Sequence, residues 1–267
     1  MGILLALLSA FFAFSWRITV RTKLKPSSND FAFTVLVDFF AALTMALFIP
    51  FFGIRFPADT DLLGLFWVSV VLSAIGDYLL VFATKNADTA DTSILMPLSN
   101  IWVLLLAFIF LKETLSFWKI IGVGMVVLGS IVALSHRKKI TLNKGIIATF
   151  IYGFFITGTI LIDKGISNNF SLPVYGAIFY FLSSGVLTLL AGRGSLKKIA
   201  KEWRINRWWT AAVGAQWALF SLTLLFAYTR EEASKVVPIM REKQRMWQKI
   251  FGSIIVTGGA LVLAYLG

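Results

Sequence analysis

The chain contains no cysteine and a single histidine, His136. The first absence removes disulfides, thiolate metal sites and cysteine nucleophiles. The second leaves little from which to build a histidine metal site or a Ser-His-Asp arrangement. Charge is scarce too: Asp, Glu, Lys and Arg make up 14% of the 267 residues, where a soluble domain carries about a quarter. No stretch between apolar runs is long enough to hold a soluble domain, and no Gly-rich phosphate cradle or paired metal ligands stand out. These gaps argue against an enzyme, and no metal or cofactor is expected.

What is present is apolar sequence. Hydrophobic residues make up 58% of the chain, and the mean hydropathy is +0.83. One soluble core cannot bury that much. Lys and Arg outnumber Asp and Glu by 25 to 13, but the basic residues sit between apolar runs and do not gather on a soluble face, which argues against nucleic acid. A helix needs about 20 mostly apolar residues to cross the hydrocarbon. Runs of this kind fall near 2–20, 31–52, 63–84, 90–111, 118–135, 145–162, 173–191, 208–228 and 249–266. The first is followed by many others, so it reads as a span and not as a cleaved signal. Inside lipid every backbone polar group must be satisfied, so the runs should be helices. They are continuous, without the in-out alternation of a barrel strand.

The chain also matches itself. At an offset of 143, Gly2-Ile3 falls on Gly145-Ile146 and Phe11-Phe12 on Phe154-Phe155. At 144, Leu43-Thr44 falls on Leu187-Thr188, and Phe82-Ala83 on Phe226-Ala227. The offset then drops to 129, where Lys112-Glu113 meets Arg241-Glu242 and Trp118 meets Trp247. Fifteen residues of the first half, Pro97 to Leu111, therefore have no partner in the second. The stretch Glu231 to Met246 is too short and too charged to replace them. The expected architecture is an all-α integral membrane protein with an inverted repeat of five transmembrane helices. Nine spans are recognisable, residues 1–139 form the first unit, and 140–267 form a second that lacks most of its ninth span. A deleted segment explains the clean resumption of the motif after Met240 better than a natural nine-span form does.

Charge supports the inversion independently. The odd loops hold fifteen Lys and Arg, in clusters such as Arg17–Lys25, Arg137–Lys144 and Arg193–Arg207. The even loops through the sixth hold four: Arg55, Lys112, Lys119 and Lys164. Basic residues collect on the cytoplasmic side, which places the amino terminus outside. The basic cluster follows the first helix of one unit and the second helix of the other, as an inverted copy requires. Such repeats are common in secondary transporters.

Pro97, the run AFIFLKE ending at Glu113, Trp118 and GVGMVVLGSIVAL from Gly122 resemble the EamA-type branch of the drug/metabolite transporter superfamily. The second copy starts at Arg241, REKQRMWQKIFGSIIVTGGALVLAYL. The resemblance covers the whole chain. It implies ten helices, a central cavity between two halves and a small metabolite as substrate. The chain departs from the pattern in its missing ninth helix, its outward amino terminus and the lack of Trp-Gly in the first helix, where Ser15-Trp16 stands.

An ionisable residue within a span is a functional candidate by default. Asp77 lies in the third run, and Ser69, Ser73, Asp77 and Thr84 share one helical face. A carboxyl group there can couple protons or meet a cation; the structural reading is an acid that fixes helix packing. Asp38, in the second run, is the weaker candidate, with Arg17 within reach as an ion-pair partner. Expected cavity-lining residues are Ser69, Ser73, Pro97, Asn100, Tyr152, Thr157, Gln216 and Trp217, each with interhelical hydrogen bonding as its plainer role. Gly122, Gly124 and Gly129 allow close helix packing or a homodimer contact. Glu113 and Glu242 suit helix starts. The segment Arg193–Arg207 with Trp203, Trp208 and Trp209 reads as an interfacial anchor on anionic lipid.

The function expected from these features is a secondary transporter in the cytoplasmic membrane, with proton coupling through Asp77. Without Lys or Arg clusters in the spans, amino acids, other neutral or zwitterionic solutes and organic cations fit better than sugar phosphates. The alternative is a non-transporting scaffold or an accessory subunit of a lipid-handling complex.

Overall fold

The computed structural model describes residues 2–23, 29–57, 59–86, 102–104, 106–114, 116–134 and 144–241. Among them the elements are helices: α1 (Gly2–Lys23), α2 (Asp30–Ala46), α3 (Ile49–Phe52) and α4 (Thr60–Asn86), then the short apolar α5 (Trp102–Leu111). They continue with α6 (Phe117–Leu134), α7 (Lys144–Ile166), α8 (Leu172–Leu190), α9 (Ser195–Tyr228) and α10 (Ala233–Arg241). Five of these, α1, α4, α7, α8 and α9, contain stretches long and apolar enough to cross a bilayer. The last span expected from sequence, 249–266, and most of 90–111 lie outside the described residues.

Local chemistry explains the helix ends. Asn29 caps α2, its side chain accepting the Ala32 N–H at 3.0 Å, and Asp30 in the first turn complements the helix dipole. The expected run 31–52 is not one helix. It breaks after Ala46, and a new turn starts with Pro50 near its beginning, where the missing N–H of proline costs nothing. Gly53 then closes that turn at φ 71°, a conformation glycine adopts freely. Pro173 starts α8 in the same way. Within α9, Arg207 has φ 33° and ψ −115°. This kink separates a basic segment, Ser195–Asn206, from the apolar part, which begins at Trp208.

The two halves pack through each other. The most extensive helix pairs are α4 with α7, α2 with α9, α1 with α9 and α2 with α8. In span order, α4 with α7 joins the third helix of one half to the first of the other. The α1–α9 pair is the same pairing with the halves exchanged. Close approach depends on Gly214 at the α2–α9 crossing, where a Cβ would lie 2.7 Å from the Val37 carbonyl oxygen.

The loops sort by end. At one end the Lys23 ammonium lies 5.2 Å from the Trp209 ring centroid, and the Asn29 N–H donates to Glu202 at 3.0 Å. The end of α1 and the start of α2 therefore meet the first part of α9. At the other end Gly2 abuts Glu231, and the Ser171 N–H donates to the Arg55 carbonyl at 3.0 Å. Large apolar side chains face outward, including Leu4 and Phe11 on α1, Trp67 and Val71 on α4, and Phe150 and Phe154 on α7. In water such a surface would be a liability; in lipid it is the normal exterior. The chain is an all-α, multi-pass membrane protein.

Candidate functional site

A cavity of about 80 Å³ lies between α1, α4, α7, α8 and α9. That is room for a few waters or part of a small solute. Its walls are aromatic: Trp16 from α1, Tyr152 from α7, Tyr175, Phe179 and Tyr180 from α8, and Trp217, Phe220 and Tyr228 from α9. Into it project two carboxyl groups, Asp77 from α4 and Asp163 from α7. None of the lining residues is a lysine or an arginine.

Each acid is held by hydroxyl groups. Ser73, one turn before Asp77, donates to its Oδ2 at 3.1 Å. Asp163 Oδ1 accepts from Ser69 at 2.7 Å and from Tyr175 at 2.5 Å. Asp77 is 4% exposed. Among the described residues no cation is paired with either acid, and the second carboxyl oxygen of each receives no protein hydrogen bond. Tyr180 and Ser221 hydrogen-bond to each other and join α8 to α9 beside the same space. The Trp16 and Trp217 rings pack at 5.1 Å between centroids, and both indole N–H groups are buried without an acceptor among the described residues.

The residues singled out from sequence distribute unevenly. Asp77, Ser73, Tyr152 and Trp217 line the cavity. Ser69 sits behind it, bound to Asp163. Asp38 is fully buried but lies away from the cavity lining; one oxygen accepts from Ser183 at 2.6 Å, and Oδ1 has no partner among the described residues. Gln216 turns toward α1 and donates to Ser15 at 2.9 Å. The Thr157 hydroxyl returns to the Gly153 carbonyl at 2.7 Å, inside its own helix. Neither Gln216 nor Thr157 is among the lining residues. Pro97, Asn100 and the Arg17 side chain lie outside the described residues.

Sequence reading missed Asp163, Tyr175, Tyr180 and Trp16. Asp163 was recoverable. Tyr152, Thr159 and Asp163 are spaced by seven and four, one face of a helix. The expected span stopped at residue 162 because an acid next to Lys164 looks like a loop. In the structure α7 continues to Ile166, and Lys164 turns away from the cavity to the carbonyls of Tyr228 and Glu231.

A second polar cluster lies beyond that end of the cavity. The Glu113 carboxylate accepts from the Ala233 N–H at 3.0 Å and the Ser234 hydroxyl at 2.6 Å. It thus caps α10, although the sequence placed it as a cap of the helix that follows it. Lys119 is wholly buried, 2.7 Å from Glu232, and donates to the Thr114 carbonyl at 2.6 Å.

Comparison with known proteins agrees with this architecture. A solved structure described only as "Crystal structure of protein" is 14% identical, with a TM-score of 0.63, covering 100% of this chain and 97% of that one. At this identity the likeness speaks for the fold. No curated protein matches. The profile of the EamA-like transporter family matches residues 1–135, half of the chain, in a helical bundle whose two halves enclose a polar cavity; the chain belongs to the EamA-like transporter family.

Proposed function

We propose that the chain is a secondary transporter of a small metabolite, an amino acid, another neutral or zwitterionic solute or an organic cation, and not an enzyme. It would work in the cytoplasmic membrane, with its basic end toward the cytoplasm. Residues 1–139 and 140–267 act as two inverted units that rock about the cavity and expose it to each side in turn. The observation that carries this reading is a cavity with walls from both units, into which two carboxyl groups, Asp77 buried and Asp163 half-buried, project with only hydroxyl partners among the described residues.

Burying a carboxylate is costly unless a cation or a proton completes it. Asp77 and Asp163 can therefore each hold a proton or a cationic solute, and exchange between the two couples solute movement to the proton gradient. The hydroxyl groups of Ser73, Ser69 and Tyr175 keep each carboxyl group aimed while its occupant changes. The test is flux of labelled metabolites in proteoliposomes with and without a pH gradient. Gradient-dependent uptake that Asp77→Asn abolishes is the expected result. Uptake that survives the substitution with its gradient dependence intact overturns the coupling role, and no flux for any solute of a broad panel overturns transport.

A further inference from the structure

Resting on the transport reading, we propose that the cavity recognises a monovalent organic cation, an ammonium group on a compact apolar or aromatic body, with Asp77 and Asp163 as its charge partners.

The argument starts from what the walls can offer. Six or more aromatic rings line the space, and their faces carry negative electrostatic potential. Two carboxyl groups add to it, and none of the lining residues is basic. An anionic solute would meet repulsion from both, and the donors in the lining, the indole N–H groups of Trp16 and Trp217 and neutral hydroxyl groups, carry no positive charge to offset it. A neutral solute would leave the acids dependent on protons. An ammonium group satisfies the oxygens of Asp77 and Asp163 that receive no hydrogen bond among the described residues, while the rings take up its body. Attraction of cations to ring faces strengthens as water is displaced from the rings.

Geometry also decides which acids serve. Asp38 is buried and held by Ser183 away from the lining. It acts at a distance at most, so its loss should weaken binding less than loss of Asp163. Tyr175 donates to Asp163 and shares the aromatic wall. It positions the carboxyl group and contacts the solute body at once.

The experiment is calorimetric titration of the purified full chain in detergent with four probes of one shape: phenethylammonium, 2-phenylethanol, phenylacetate and phenylalanine. Phenethylammonium is expected to bind at least tenfold tighter than each of the others. Asp163→Asn should weaken it tenfold or more, while Asp163→Glu retains most of the affinity. Equal or tighter binding of 2-phenylethanol, phenylacetate or phenylalanine overturns the proposal, as does no binding of phenethylammonium at millimolar concentration. The probe series uses the unaltered chain, so it decides the matter even where a variant fails to fold. Cation binding without flux sinks the transport reading alone. Flux of neutral or anionic solutes without cation binding sinks this inference alone.

Discussion

The cavity and the polar cluster beyond it both bury charge-bearing side chains, and they treat them in opposite ways. In the cluster, Lys119 has no exposure at all and meets Glu232 at 2.7 Å. Glu113 is spent on the N-terminus of α10, and Lys164 on the carbonyl that ends α9, at Tyr228, and on that of Glu231 just beyond it. Each charge there is neutralised by a partner of opposite sign or by a helix end. In the cavity, Asp77 and Asp163 have serine and tyrosine hydroxyls and no cation among the described residues. A hydroxyl orients a carboxyl group without cancelling its charge. The first arrangement holds helices together; the second leaves each carboxyl group without a counter-charge among the described residues.

The contrast predicts a crossed pattern of stability and flux. The largest stability loss should come from Glu232→Ala, which leaves the wholly buried Lys119 ammonium without its carboxylate. A cost of about 3 kcal/mol is expected, read from unfolding in mixed micelles; a loss below about 1 kcal/mol would show that the Thr114 carbonyl suffices for Lys119 and that the pair holds little. Glu113→Ala should follow at about 1 kcal/mol, the usual worth of a helix cap, with melting of α10 visible as faster amide exchange at Ala233 and Ser234. Asp163→Asn and Asp77→Asn should cost less still, under about 1 kcal/mol, because hydrogen bonds between membrane helices are individually weak. Both should nevertheless abolish gradient-driven flux. If either is as destabilising as Glu232→Ala, the acid belongs to the structure and not to the transport cycle. The smallest effect is expected of Ser73→Ala, about 0.6 kcal/mol in stability, with reduced flux and the gradient dependence retained.

The same division shows in what could be read ahead of the structure. Asp77 was legible because a charge within an apolar run has to be accounted for, and Ser73 because it lies one turn away on the same face. Asp163 was not, because it stands beside a lysine at the edge of its run. Only the course of α7, continuing to Ile166, shows that the pair is split, the acid into the cavity and the lysine out of it. Gln216 and Thr157 had the right periodicity for a lining. The Gln216 amide N–H is taken by Ser15 of α1 and the Thr157 hydroxyl by its own helix, which spacing along one helix cannot reveal. The run 31–52 is apolar apart from Asp38 and two threonines, and hydropathy does not register the break that Pro50 helps to set.

Amino-acid composition and order alone determined that this chain lives in lipid as helices, where most of those helices lie and which loops share an end. Transfer from water to hydrocarbon sums along the chain, and the basic residues stand between the runs. Which face of each helix looks inward was decided only by tertiary packing. In lipid the surroundings are as apolar as the protein interior, so a helix carries little amphipathic contrast to mark its buried side. The meeting of Trp16 with Trp217, the turn of Asp163 into the cavity and the reach of Glu113 to α10 follow from helices of both halves interlocking. No single segment records that.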